Sequence, residues 1–331
     1  MRLLASKGVV WTAWGFVGAA ALPVGTLDLG PNVRIESPTV ARLDGLRQET
    51  PRLQHPTVPW PEYFSALPAQ VIVRSTRIIW FRTQAATMEE AWDHIERNEV
   101  PAVIVALAGT GERPRIELVR IGATDLTGLI DRPTSRWIGG TFGGFATRPL
   151  TGSEARTLAR RHVAGRKYAA DLCRLYYQAS QQYDQSDQTP RSLGNVVSNY
   201  FLLLEAIARR EAGQETLTEG ARQEAADHIA RLQKALSTTN TVEGHANKIR
   251  STLQHVERLE QRYLNQKIQA TATRLKLDAA TLANALEIAR LRNTTLSHPG
   301  RETPQSMNAI AAKAEQTARA FLSAFIADRT R

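Results

Sequence analysis

The chain has 331 residues, of which 42% are hydrophobic, and a formal net charge of +10. This length and composition are typical of two globular domains with an ample core, and they exclude a disordered chain. The single cysteine, Cys173, excludes a disulfide framework and a cysteine-based zinc site, and it fits a reducing, cytoplasmic setting. Because Cys173 lies on a helical apolar face, we expect its thiol to be buried.

The composition changes near residue 150. All six tryptophans, 12 of the 15 prolines and 14 of the 21 glycines precede that position. Turn-forming and strand-forming residues therefore dominate the first half, whereas helical periodicity dominates the second. The sequence predicts an α+β fold, with a strand-rich α+β domain over residues 1–148 followed by an all-α helical domain over residues 149–331.

The uncharged stretch at residues 8–27 has two interpretations. A signal peptide or a membrane anchor would explain the absence of charge. Tryptophans interrupted by glycines and a proline favour short strands instead, and strands are our prediction. Further along, the turn at residues 30–32 predicts a hairpin, and residues 71–81 and 115–121 are expected to be strands.

Helical periodicity accounts for most of the remaining chain. Residues 87–106 predict a helix that Pro101 splits or kinks. We expect later helices over residues 153–183, from Pro190 onward, over residues 218–236 and 241–272, after a cap at Asp278, and from Thr303-Pro304 to near the end of the chain.

The positive charge is concentrated in the helical half. Residues 1–150 carry 16 Lys and Arg against 14 Asp and Glu, whereas residues 151–331 carry 26 against 18. The resulting net charge of +8 in the second half favours a polyanionic partner such as nucleic acid. A solvated, arginine-rich helical surface explains the same numbers equally well.

An arginine and a histidine stand six positions apart near the end of the chain. They are Arg292 and His298, with Asn293 directly after the arginine and a Pro299-Gly300 helix stop directly after the histidine. RNA carries its own nucleophile, the 2′-hydroxyl, so its cleavage needs acid–base groups and a cation at the phosphate. Histidine and arginine supply these functions without a metal. The sequence has no HExxH, GxSxG, CxxC or EF-hand pattern that would indicate another chemistry.

Helical spacing leaves the role of each motif residue open. The apolar row through Ala285 and Ile288 places Arg292 on the inward side of the last helical turns. A guanidinium there needs a partner, which is either a protein carboxylate such as that of Glu205 or a substrate phosphate. His298 is either an acid–base group or a helix C-cap favoured by the helix dipole. Asn293 either orients the phosphate or the histidine, or is a buried amide satisfied by the backbone.

Three other pairs in the sequence have similar spacing. Each lies within a predicted helix and lacks a following helix stop, so we interpret all three as structural. They are Arg156/His162, Arg222/His228 and Arg250/His255.

The context of Arg292 resembles the HEPN superfamily of helical proteins, whose signature is Arg, a polar residue, and His within four to six positions. The chain is most similar to the ApeA-like group, in which Leu-Arg-Asn and the histidine are followed by one final helix. Residues Asn199–Arg209 also resemble the second core helix of HEPN domains. The resemblance covers about the last half of the chain and implies a HEPN-like helical bundle there.

The resemblance implies a metal-independent endoribonuclease acting as a toxin or anti-phage defence effector. Arg292 would contact the phosphate, His298 would transfer protons and Asn293 would orient one of the two. Because one motif supplies a single histidine, a C2 homodimer with two motifs in one cleft is implied.

We expect RNA and a second copy of the chain as partners, together with a regulatory protein or phage trigger sensed through residues 1–148. No cofactor, metal or membrane is expected. The same resemblance allows a non-catalytic RNA-, nucleotide- or protein-binding module. A membrane-tethered helical protein is a third interpretation if residues 8–27 span a bilayer.

Overall fold

The computed structural model describes residues 9–18, 25–42, 77–108, 115–123, 129–130, 151–211, 219–238, 241–294 and 303–330. Within these ranges the fold is α+β, with an antiparallel sheet followed by helices, as predicted from the sequence. The chain divides into two compact units, one of Met1–Ser186 with Phe325–Arg331 and one of Asp187–Ala324. The predicted domain boundary at residues 148 and 149 lies outside the described residues and stays a prediction.

The sheet of the first unit has six described strands in the order β2-β3-β4-β1-β5-β6, and every neighbouring pair is antiparallel. The strands are β1 (Val9–Gly18), β2 (Thr26–Gly30), β3 (Val33–Glu36), β4 (Arg77–Ala85), β5 (Arg115–Ala123) and β6 (Leu129–Ile130).

The central strand, β1, explains the uncharged stretch near the start of the chain. It pairs with β4 on one side and β5 on the other, and the adjacent residues Ala13 and Trp14 are both buried. Successive side chains point to opposite faces of a sheet, so both faces are covered here and neither tolerates charge. The strand prediction is confirmed over Val9–Gly18, whereas residues 19–24 lie outside the described part.

The predicted hairpin joins β2 and β3. Gly30 has φ +148°, a backbone conformation that favours glycine, so this residue permits the turn. Arg34 donates from Nε to Asp28 Oδ1 at 2.8 Å across the pair. The predicted strand over residues 71–81 is observed from Arg77 onward in β4, and its earlier part lies outside the described residues.

Residues 87–106 are helical as predicted, but in three parts. These are α1 (Met88–His94), a π-helix (Ile95–Glu99, hereafter the π segment) and α2 (Val100–Ala108). Pro101, in the first turn of α2, lacks an N–H and its ring disfavours a continuous α-helix behind it. The wider π turn directly before Pro101 is therefore the local response to the proline.

The predicted helix over residues 153–183 is instead two helices, α3 (Gly152–Tyr168) and α4 (Ala170–Gln185). They are separated at Ala169, whose backbone (φ −142°, ψ 26°) is not helical. Both helices pack on α2, and α3 also packs on β2. The break follows from this packing, because alanine itself favours helix.

The predicted burial of Cys173, on α4, is confirmed. Its Sγ would lie 3.4 Å from a Cβ added at Gly165 of α3, so the glycine permits close packing of the two helices. Burial raises the pKa of the Cys173 thiol to about 12.

Helices are the only regular secondary structure among the described residues of the second unit. Pro190 begins α5 as predicted, and Thr241, Asp278 and Thr303 accept capping hydrogen bonds at the starts of later helices. In the described part of the chain, no helix is both long and apolar enough to cross a membrane. The helices are α5 (Pro190–Glu211), α6 (Glu219–Ser237), α7 (Val242–Arg274), α8 (Ala279–Thr294) and α9 (Pro304–Asp328), whose last residues belong to the first unit.

Candidate functional site

Helix α8 carries Arg292 in its last turn, and its sequence fixes where the helix starts. Thr281 donates its backbone N–H to Asp278 Oδ1 at 2.7 Å and its hydroxyl to Oδ2 at 3.0 Å. These two hydrogen bonds, the backbone one foremost, hold the pKa of Asp278 below its ordinary value. The helix packs on α5 and α7.

The Arg292 side chain is partly exposed, with 41% of its surface accessible, although the helical pattern predicts an inward position. Its Cζ lies 4.8 Å from the centroid of the buried Phe201 ring on α5. Its Nη1 lies 3.6 Å from Oε2 of Glu205, one helical turn further along α5. The ring and the carboxylate together restrict the plane of the guanidinium.

Glu205 has a second cationic partner. Arg209, four residues later on α5 and largely exposed, contacts Oε1, while Arg292 approaches Oε2. Two guanidinium groups thus share one carboxylate, which leaves a formal charge of +1 on these three side chains. A phosphodiester carries the complementary charge, and arginine forks match its oxygens geometrically.

The structure describes only part of the predicted catalytic set. Arg292 is described in full, the backbone of Asn293 lies in α8, and the Asn293 side chain and all of His298 lie outside the described residues. Of the two partners anticipated for Arg292, the Glu205 carboxylate is present. The placement of His298 relative to Arg292 stays a prediction.

A second polar group lies in the first unit, and the sequence did not single it out as a site. We call it the Glu99 cluster, comprising Glu99, His94, His162 and Arg166. Glu99 and His162 are each only 1% exposed. Arg166 Nη2 lies 3.0 Å and His94 Nε2 lies 3.5 Å from Oε1 of Glu99, while His162 Nε2 lies 3.4 Å from Oε2.

Arg166 forms an ion pair with Glu99, whereas the two histidines approach the carboxylate without an aligned hydrogen bond. The two carboxylate oxygens of Glu99 and Nε2 of His162 form no hydrogen bond. Arg166 is within hydrogen-bond distance of Glu99, but the angle between the two groups is unfavourable. The other ring nitrogen of His162, Nδ1, lies 2.8 Å from the carbonyl oxygen of Leu29 on β2. His162 therefore serves the fold of the first unit, in line with its interpretation as structural.

One sequence signal could have located this cluster. Glu99 directly precedes the wholly apolar and buried Val100–Ala108, so a carboxylate next to a core helix needs cationic partners. His94 reaches it because the π segment places residues five apart on one face, a spacing that α-helical periodicity does not predict. Within the described ranges, no group of three or more His, Cys, Asp or Glu residues could hold a metal ion.

Comparison with protein-family models, with curated proteins and with solved structures finds no match to the chain in any of the three. These comparisons therefore indicate neither a family nor an activity for the chain. The resemblance of its second half to HEPN domains stays a prediction that rests on the residues around Arg292 and on residues 199–209.

Proposed function

We propose that the chain is a metal-independent endoribonuclease of the HEPN class. Arg292 binds the phosphate that is cleaved, His298 transfers protons and Asn293 orients the phosphate or the imidazole. The observation that supports this most is the setting of Arg292, a partly exposed guanidinium held against Phe201 and beside Glu205. A restrained guanidinium loses less conformational entropy when it binds phosphate than a free one does.

The reaction is a transesterification within the RNA. A histidine takes the proton of the 2′-hydroxyl, the 2′-oxygen forms a bond to phosphorus, and the bond to the 5′-oxygen breaks. A second acid protonates that leaving oxygen. The products are a 2′,3′-cyclic phosphate and a 5′-hydroxyl. The base and the acid come from the His298 residues of two chains in a C2 homodimer.

The proposed biological role rests on the same resemblance to HEPN proteins. The protein acts in the cytoplasm as a toxin or an anti-phage effector, and residues 1–148 respond to a regulatory protein or phage trigger. The net charge of +8 on residues 151–331 supports RNA as the substrate, because cations near the site attract a polyanion.

A second function, a non-catalytic RNA-, nucleotide- or protein-binding module, is favoured by one observation. The ion pair of Arg292 with Glu205 satisfies the guanidinium within the chain, so no substrate phosphate is needed to explain the arginine. In that case Arg292 serves mainly to join α8 to α5.

The test is cleavage of a mixed RNA pool in EDTA by the full chain. Wild type is compared with Arg292→Ala, His298→Ala and the control Arg290→Ala, which removes an exposed arginine from the same helix. The proposal expects wild type and the control to cleave, and each motif variant to lose at least about 100-fold in rate, as for other removed transition-state contacts. The cleaved ends should be cyclic phosphate and 5′-hydroxyl.

RNA binding measured on the same proteins separates the two functions. Absence of cleavage in every protein, with binding unaffected by Arg292→Ala and His298→Ala, would favour the binding module. Cleavage that stops in EDTA and returns with added divalent metal would contradict a metal-independent mechanism.

A further inference from the structure

Helix α3 carries a strong positive charge. It contains five lysines and arginines against one carboxylate, that of Glu154, so its formal net charge is +4. The Glu154 side chain is engaged in the first turn, where Oε2 accepts the backbone N–H of the capping residue Thr151 at 2.7 Å. The later turns of the helix therefore have no carboxylate of their own to offset their cations.

Three of these cations and one apolar side chain form a row on the solvent side of α3. We call this row the α3 stripe, and its members, all exposed, are Arg156, Arg160, Val163 and Lys167. Spacings of four, three and four residues place these side chains on one face of an α-helix. The buried side of the helix packs on α2, α4 and β2, so the stripe is the side left to a partner.

The two arginines of the stripe differ from other exposed arginines of the first unit. Arg34 and Arg97 each lie beside an aspartate. Among the residues that the structure describes, neither Arg156 nor Arg160 forms an ion pair. The spacing of Arg156 and His162 predicts a structural pair, but only the histidine has partners in the interior.

The arrangement of the two arginines does not favour the helix itself. Arg156 and Arg160 are four residues apart, and like charges at that spacing repel one another along a helix. Opposite charges at the same spacing would stabilise it. A conflict of this kind between sequence and local stability is expected where a surface serves a function.

The length and charge of the stripe match a strand of nucleic acid. An α-helix rises about 1.5 Å per residue, so the positions of Arg156 and Lys167 are about 16 Å apart along the axis. One stacked strand carries a negative charge about every 3.4 Å, so about five phosphates fit this length. Arginine and lysine are the usual contacts to phosphate oxygens in such complexes.

An exposed aromatic ring lies at the end of the stripe. Tyr168 is 47% exposed, and Nζ of Lys167 lies 5.0 Å from the centroid of its ring. Proteins that bind single strands combine cations for the backbone with aromatic surface on which bases stack. An acidic peptide has carboxylates but no bases, so the ring favours nucleic acid over an acidic protein.

We propose that the exposed face of α3 binds the phosphate backbone of a single-stranded nucleic acid through Arg156, Arg160 and Lys167. Because the contacts are to phosphates, this surface selects neither a base sequence nor RNA over DNA. The α3 stripe belongs to the first unit, whereas Arg292 belongs to the second. The inference therefore does not rest on the proposed nuclease function.

The test is the salt dependence of binding between the full chain and a fluorescent single-stranded DNA of mixed sequence, measured by anisotropy. DNA lacks the 2′-hydroxyl that the proposed cleavage uses, so binding is measured apart from cleavage. Wild type is compared with the double variant Arg156→Gln/Arg160→Gln. The matched control, Arg34→Gln/Arg97→Gln, removes the same charge from two exposed arginines that have aspartate partners.

Each phosphate contact to a single strand contributes about 0.7 to the slope of log K against log salt. The slope for Arg156→Gln/Arg160→Gln should therefore be shallower than that of wild type by about 1.4, whereas the control should keep the wild-type slope. Arg156→Lys/Arg160→Lys retains the charge and should also keep it. Thermal unfolding verifies that every variant is folded. No binding by wild type, or equal slopes in the double variant and the control, would overturn the proposal.

Two further measurements separate the partner class and the site. Single-stranded 2′-O-methyl RNA, which the proposed reaction does not cleave, should displace the DNA, and polyglutamate of equal charge should displace it far less. Equal displacement by polyglutamate would overturn nucleic acid as the partner. Arg292→Ala, which tests the nuclease, should leave the slope difference between wild type and Arg156→Gln/Arg160→Gln unchanged, so the two proposals fail separately.

Discussion

Nδ1 of His162 donates to the carbonyl oxygen of Leu29 at 2.8 Å, although the two residues are 133 positions apart in the chain. This bond ties α3 to the end of β2, next to the turn at Gly30. His162 follows Arg156 by six residues, the same spacing as His298 after Arg292, but the hydrogen bond to Leu29 gives His162 a structural role. Similar spacing in a sequence thus has different consequences, depending on where the fold places the imidazole.

Replacing His162 should destabilise the first unit strongly. His162→Ala removes the hydrogen bond to the Leu29 carbonyl, takes away one of the three neighbours of the Glu99 carboxylate and opens a cavity, so we expect a loss of about 2–4 kcal/mol in the free energy of unfolding. Urea denaturation measures the change. Arg156→Ala, an exposed substitution on the same helix, is the control and should change stability by less than about 0.5 kcal/mol. Equal effects from both substitutions would contradict the structural role of His162.

The thiol of Cys173 should be unreactive in the folded protein. It is fully buried, and burial raises its pKa to about 12, so little thiolate forms near neutral pH. Maleimide labelling at about pH 8, close to the ordinary cysteine pKa, should be slow in buffer and rapid in denaturant. Rapid labelling of the folded chain would show that α3 and α4 do not enclose the sulfur.

The raised pKa of Cys173 also predicts a pH effect on stability. A folded-state pKa above the unfolded value means that the unfolded chain loses the thiol proton first as pH rises. The stabilisation is complete below the unfolded pKa of about 8.5 and decreases from there toward about pH 12. Cys173→Ala should weaken that alkaline decrease in Tm. An unchanged alkaline profile in the variant would assign the decrease to other groups.

The ion pair of Arg292 with Glu205 should contribute little to stability. The arginine side chain is 41% exposed, and solvent screens such a pair, so a double-mutant cycle with Arg292→Ala and Glu205→Ala should give a coupling of about 0.5–1 kcal/mol. Arg292→Lys retains the charge but loses the planar fork, so a phosphate-binding role predicts a large loss of RNA cleavage. Full cleavage by the lysine variant would argue against a bidentate phosphate contact.

The cap of α8 should respond to acid. Its hydrogen bonds with Thr281 hold the pKa of Asp278 below its ordinary value, so the stabilisation is present above the unfolded pKa and decreases as pH falls through the folded one. Asp278→Ala should lower Tm near neutral pH and show a smaller difference from wild type in acid. Asp278→Ser retains a capping oxygen without the titration, so its Tm should follow wild type more closely near neutral pH.

The sequence predicted the features that depend on residues within about one helical turn. Pro190, Asp278 and Thr303 mark the helix starts that the structure shows, because caps and first-turn prolines act within one turn. The uncharged, aromatic start of the chain predicted a strand, and Cys173 on an apolar face predicted a buried thiol. The sequence also named Glu205 as one partner of Arg292.

Other features depend on tertiary packing, and no local sequence pattern predicts them. Ala169 breaks a helix although alanine favours one, because α3 and α4 both pack on α2. The π segment brings His94 to Glu99, and folding brings His162 to Leu29. The sequence by itself indicated where most of the described strands and helices lie, since those choices depend largely on neighbours within a few residues. Only the tertiary structure decided which charged groups meet in the interior, because their partners come from distant parts of the chain.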